Sequence, residues 1–168
     1  YKSKAKLLIS IHLNSTTVMF DGYELYISNN MNQTFANNII TSLNSLGKLK
    51  PSNNTSFSVG LGLYSRNLSS SDVATINKNK DVPYSNVSTN TNYYFMIRET
   101  GGYMSGAYVD GGSNGGENKY RNSNVGLESY ILELGYINNP SNVEMVKNNK
   151  DKYMSLLSDE IDKYLKNN

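Results

Sequence analysis

The 168 residues contain no cysteine and no tryptophan, and histidine occurs once. The missing cysteine excludes disulfides and cysteine-rich metal sites. An excess of either charge is lacking too: 16 basic and 14 acidic residues leave a net +2, which gives no support for a nucleic-acid partner. No apolar run approaches the roughly 20 residues needed to span a bilayer, so no transmembrane segment is expected. No signal peptide is legible, and the first residue is Tyr1 rather than Met, so the chain reads as a processed, trimmed or excised fragment. Its length suits one domain with a substantial core.

What is present is an alternation of strand-like and helix-like segments. Residues 6–13 form a nearly continuous apolar run, the pattern of a parallel strand buried on both faces. Residues 22–28 alternate as a second strand. Phe35, Ile39, Leu43 and Leu46, joined by Ala36 and Ile40, recur at helical spacing and predict a helix over 31–46, ended by Gly47 and Pro51. Residues 58–64 read as a glycine-weakened strand, and 93–98 as a strand by aromatic and β-branched content. A further strand spans 127–137, followed by a short helix near 141–148 and a last helix near 151–166. Two polar stretches, about 66–91 and 101–126, interrupt this order as insertions or surface excursions. The pattern predicts an α/β domain, a largely parallel or mixed sheet flanked by helices. Ligands of such sheets sit beyond the carboxyl ends of the strands.

Two segments carry chemistry. His12 ends the first apolar run within Ser10-Ile11-His12-Leu13-Asn14, and Glu133 interrupts the strand Glu133-Leu134-Gly135-Tyr136-Ile137-Asn138. An ionised carboxylate among Ile131, Leu132, Leu134 and Tyr136 is costly without a partner. The plain alternatives are a half-buried histidine bonded to a backbone carbonyl and a salt-bridged glutamate at a strand end. Glu24 reads as a strand-edge residue, and Glu99 as the surface partner of Arg98. Glu128 falls on the opposite face of the strand from Glu133, because side chains alternate.

The ordered pair Ser-Ile-His-x-Asn and Glu-x-Gly-Tyr-Ile-x-Asn resembles the zinc-dependent N-acetylmuramoyl-L-alanine amidases of the amidase_3 family. The resemblance covers the region of His12, the strand and helix after it, and the stretch from about 127 to the end. It implies an amidase_3-like catalytic domain over residues 1–168, truncated at its N-terminus. It further implies Zn²⁺ as cofactor with His12 as a ligand, Glu133 as the catalytic acid/base, and peptidoglycan as substrate. The bond cut would be the lactyl amide between N-acetylmuramic acid and L-alanine of the stem peptide. The setting implied is secreted, in a bacterial cell wall or periplasm-equivalent space, or that of a phage lysin.

The family's other zinc histidine, in a Gly-His-Gly-like turn, and its zinc glutamate have no counterpart before His12. A catalytic zinc generally takes three protein ligands, so this chain alone is expected to be inactive, its site completed by a missing N-terminal segment or influenced by a regulatory partner. Arg98 is the candidate for a substrate carboxylate or muramyl oxygen, with an ordinary surface arginine as the alternative. Tyr103 and Tyr108 in the second polar stretch are candidate glycan contacts. The competing functional class is a degenerate, non-catalytic module that binds peptidoglycan or a partner enzyme. A third reading is another metal hydrolase that completes its site from Asp21, Glu24 or a second chain.

Overall fold

The structure is a computed structural model, and it describes residues 5–28, 33–78, 88–98 and 127–167. The chain divides into two compact units. One comprises the described parts of Ile9–Ile27, Asn32–Tyr64 and Ile131–Asn168; the other those of Tyr1–Leu8, Ser28–Met31 and Ser65–Tyr130.

Five strands form one mixed sheet: β1 (Leu7–Asn14), β2 (Glu24–Tyr26), β3 (Ser58–Gly60), β4 (Leu63–Tyr64) and β5 (Glu128–Tyr136), in the order β1-β5-β2-β4-β3. β1 and β5 run in the same direction. The Glu128 amide donates to Lys6 O where both begin, and the Ile137 amide donates to Asn14 O where both end, at 3.0 and 2.8 Å. β2 is antiparallel to β5 and parallel to β4, while β3 is antiparallel to β4. The expected α/β class therefore holds, with a mixed sheet.

The apolar residues of β5 suit its inner position. Tyr130, Ile131, Leu132, Leu134 and Tyr136 are all buried, as a strand covered on both faces requires. β1 corrects the expectation drawn for residues 6–13. It lies at the edge of the sheet, and Leu8 and Ile11 are 43% and 44% exposed. An apolar run alone cannot separate an inner strand from an edge strand, because the neighbours decide.

The strand expected over 58–64 is instead a tight pair, β3 and β4, that turns at Leu61 and Gly62. Gly62 has φ +73°, and a Cβ there would lie 2.7 Å from Cε2 of Tyr23, so the turn and the close packing both require glycine.

In the first unit, α1 (Thr34–Leu46) buries Phe35, Ala36, Ile39, Ile40 and Leu43, as its spacing predicts. Gly47 closes it in the left-handed conformation, its amide bonded to Asn44 O at 3.0 Å. α1 packs on α4 (Pro140–Asn167), with the Phe35 and Tyr164 rings 4.7 Å apart. α4 opens on an asparagine cap, since Asn139 Oδ1 accepts from the amides of Ser141 and Asn142, with Pro140 as the first helical residue. The two helices expected near 141–148 and 151–166 are one. The Asn148-Asn149-Lys150-Asp151 stretch is a weak helix former but contains neither glycine nor proline to break the ladder.

In the second unit, the first polar stretch contains a helix, α2 (Ser70–Lys78). Ser69 caps it reciprocally: Ser69 Oγ accepts from the Asp72 amide at 3.1 Å, and Asp72 Oδ2 accepts from the Ser69 amide at 2.8 Å. Val73, Ile76 and Tyr93 pack against buried Leu68. The strand expected over 93–98 does not form; the chain makes the single helical turn α3 (Phe95–Arg98). Sheet-like pairing stops just before it, with an isolated antiparallel bridge from Asn67 to Asn92 and the Tyr93 amide on Arg66 O. Aromatic and β-branched residues favour a strand only where a partner strand meets them. The second polar stretch, 101–126, with Tyr103 and Tyr108, lies outside the described residues, as does Glu99.

Candidate functional site

The parallel pairing of β1 with β5 puts the two motif segments, more than 100 residues apart in the chain, side by side. Three asparagines fasten their ends. Asn138 Nδ2 donates to Thr16 O at 2.9 Å, and Asn139 Nδ2 donates to Phe20 O at 2.8 Å. Asn142 Oδ1 accepts from the amides of Gly22 and Tyr136, both at 3.1 Å, while its Nδ2 donates to Asp21 Oδ1. The connection from β1 to β2 is thereby tied to the turn between β5 and α4. The motif glycine has a steric reason too: at Gly135 (φ +147°) a Cβ would lie 2.9 Å from Cβ and Oδ1 of Asn142.

Beside this junction lies a buried carboxylate. Glu24 is fully buried on β2, an inner strand between β5 and β4, which corrects its reading as a strand-edge residue. Its oxygens accept from Asn14 Nδ2 at 2.8 Å, Tyr26 Oη at 2.9 Å, Asn54 Nδ2 at 3.0 Å and Tyr136 Oη. Four donors fill the acceptor capacity of a carboxylate. The Tyr136 hydroxyl also meets Ser52 Oγ at 3.0 Å. Burial, and then its bond to Glu24, push the Tyr136 pKa upward, so the phenol stays a donor. Sequence reasoning missed this cluster. Its signal was a glutamate between Tyr23 and Leu25 in an apolar strand, a burial that demands donors.

Glu133 sits directly opposite Glu24 across the β5–β2 pair, so the two side chains share a face of the sheet. Its circumstances are the reverse of those of Glu24. Glu133 Oε2 is buried with no hydrogen-bond partner among the described residues. Burial first, and the charge of Glu24 second, push its pKa up to about 7. A carboxyl group with that proton affinity exchanges a proton readily near neutral pH, the property a general acid/base needs.

His12 is exposed on β1, and its Nε2 shares a hydrogen bond with Ser10 Oγ. No hydrogen bond or ion pair joins it to Glu133 among the described residues. Those residues contain no group of three or more histidine, aspartate or glutamate side chains arranged to hold a metal. They offer His12 as one imidazole and so do not by themselves fit the three-ligand site that a catalytic zinc takes. Of the side chains by which another metal hydrolase was to complete its site, Glu24 is engaged by four donors, and Asp21 Oδ1 accepts from Asn142 Nδ2. Arg98 ends α3 rather than a strand, and its side chain lies outside what the structure describes. Glu128 accepts from Tyr130 Oη at 2.7 Å.

Among the described residues no helix is long and apolar enough to cross a membrane. The chain matches no family model, no curated protein and no solved structure.

Proposed function

We propose that this chain is part of a peptidoglycan hydrolase, an N-acetylmuramoyl-L-alanine amidase in which Glu133 is the general acid/base. The observation that carries the reading is Glu133 itself. A half-buried carboxyl group with a partnerless oxygen and a pKa near 7 lies in the second motif, on the strand hydrogen-bonded to that of the first.

In this reading Glu133 takes a proton from the attacking water and returns it to the departing amide nitrogen. His12 contributes one zinc ligand, and the remaining ligands come from outside the described residues. Zinc, when bound, would supply Lewis-acid polarisation of the scissile carbonyl. Arg98 is proposed for the substrate carboxylate. The setting that goes with this activity is the bacterial cell wall or its periplasm-equivalent space, or phage release.

The protein as its gene encodes it, supplied with zinc, should free L-alanine amino groups from purified peptidoglycan. Glu133→Gln should lower that rate by about 10²–10⁴-fold, and His12→Ala should lower the zinc retained on dialysis. A folded, zinc-supplied protein that frees no amino groups would sink the reading. The 168-residue chain by itself should bind zinc weakly and cleave nothing, which stoichiometric tight zinc with amide cleavage would contradict.

A second reading, a non-catalytic module that binds peptidoglycan or a partner enzyme, draws on the exposure of His12 and its engagement with Ser10. Co-sedimentation with peptidoglycan, unchanged in Glu133→Gln and without amino-group release, would favour it.

A further inference from the structure

We infer that Glu24 is a positioning residue for Glu133, holding the nearby hydrogen-bond donors on itself so that Glu133 Oε2 is left without one among the described residues. This rests on the reading of Glu133 as the acid/base, and it assigns a role to a residue outside both motifs.

The argument is one of competition for donors. Glu24 and Glu133 lie opposite one another on adjacent strands, and opposite side chains in an antiparallel pair have their Cβ atoms roughly 5 Å apart. Two carboxyl groups so placed draw on one set of donors. The side chains that supply them, Asn14, Tyr26, Asn54 and Tyr136, all bond to Glu24. None bonds to Glu133 Oε2. The division is held by the fold. Tyr136 is held at its other contact by Ser52, and Ser52 Oγ also accepts from the Asn54 amide. Tyr64 Oη donates to Asn54 O at 2.7 Å, fixing the segment from which the Asn54 carboxamide reaches Glu24.

A buried carboxyl group beside a like charge and without donors holds its proton tightly. Burial acts first on Glu133 and the charge of Glu24 second, and the donors that Glu24 holds are not there to offset either. Among the described residues Glu24 is the one charge that raises the Glu133 pKa, for Tyr64 Oη donates to the Asn54 and Ser52 carbonyls and Glu128 accepts from Tyr130 Oη. Tyr26 and Tyr136 donate to Glu24, Asp21 before β2 is bonded by Asn142, and His12, the one ionisable residue of β1, is exposed and bonded to Ser10.

The test is a carbon-13 titration of the Glu133 carboxyl in the 168-residue chain, which reads the group directly and does not depend on amidase activity. In Glu24→Gln the Glu133 midpoint should fall from about 7 by about one pH unit. It should stay above the ordinary glutamate value, because burial remains. Tyr26→Phe removes a donor but keeps the Glu24 charge and should leave the midpoint near that of the wild type. An unchanged midpoint in folded Glu24→Gln overturns the inference. So does an equal fall in Tyr26→Phe, which would trace the effect to loosened packing. If Glu24→Gln does not fold, Glu24→Asp carries the same test: it withdraws the charge by one methylene, and an unchanged midpoint there overturns the inference as well. Failure of the encoded protein to cleave peptidoglycan would remove the amidase reading while leaving this titration result standing.

Discussion

Asn142, in the first turn of α4, receives the Gly22 amide 120 positions earlier in the chain at 3.1 Å, and the same side-chain oxygen receives the Tyr136 amide. One buried carboxamide oxygen thus satisfies a donor ahead of β2 and a donor at the end of β5. Asn142→Ala leaves both amides without an acceptor, which should cost about 2–4 kcal/mol. Urea unfolding of the variant measures it. A loss below about 0.5 kcal/mol, the scale of an ordinary surface change, would show that the two amides find other partners.

Gly135→Ala should be destabilising by roughly 2 kcal/mol or more, since an L side chain at φ +147° is strained and its Cβ would collide with Asn142. Part of that penalty is the collision, so the double variant Gly135→Ala with Asn142→Ala should be less destabilised than the two single losses added. Strict additivity in a double-mutant cycle would place the whole penalty in the backbone.

The Glu133 pKa, raised to about 7 from 4.5, makes stability depend on pH with a definite sign. Between about 4.5 and 7 the folded chain holds the Glu133 proton and the unfolded chain has released it. Folding stability contributed by this group is therefore full below 4.5 and declines as pH rises through 7. Glu133→Gln should match the wild type at pH 4 and exceed it at pH 8 by about 1–2 kcal/mol, after allowance for the water that reaches a partly exposed side chain. Thermal melts of both proteins at the two pH values decide the point. A variant less stable than the wild type at pH 8 contradicts the assigned proton affinity.

Two buried tyrosines should answer oppositely to loss of their hydroxyls. Tyr153 Oη is buried without a partner among the described residues, so Tyr153→Phe should be neutral or stabilising by up to about 1 kcal/mol. Tyr136 Oη serves Glu24 and Ser52, so Tyr136→Phe should cost about 1–3 kcal/mol. Denaturant midpoints of the pair, with m-values unchanged, would establish the contrast; equal effects would remove it.

Much of the fold was legible because the relevant signals are local. The 3.6-residue spacing of Phe35, Ile39 and Leu43 predicts α1, and the strand-like run at 127–137 predicts β5. The motif residues were legible as well, since Ser10 to Asn14 and Glu133 to Asn138 are contiguous in the sequence. Where the reading went astray, the deciding partner lay elsewhere in the chain. Tyr93 to Arg98 has strand composition, yet it makes a helical turn where its pairing ends. Residues 6–13 have the pattern of an inner strand and occupy an edge.

The sequence by itself determined α1, the extended segments at β2 and β5 and the helical character of the C-terminal stretch, because periodicity and composition act over a few residues. Only the tertiary structure decided what Glu24 and Glu133 are. Both are glutamates flanked by apolar or aromatic residues in extended segments, and neither neighbourhood shows which of them finds hydrogen-bond donors. Strand pairing sets them opposite one another, and packing gives the donors of Asn14, Asn54, Tyr26 and Tyr136 to Glu24. Which of the two carboxyl groups is satisfied is thus a property of long-range contacts.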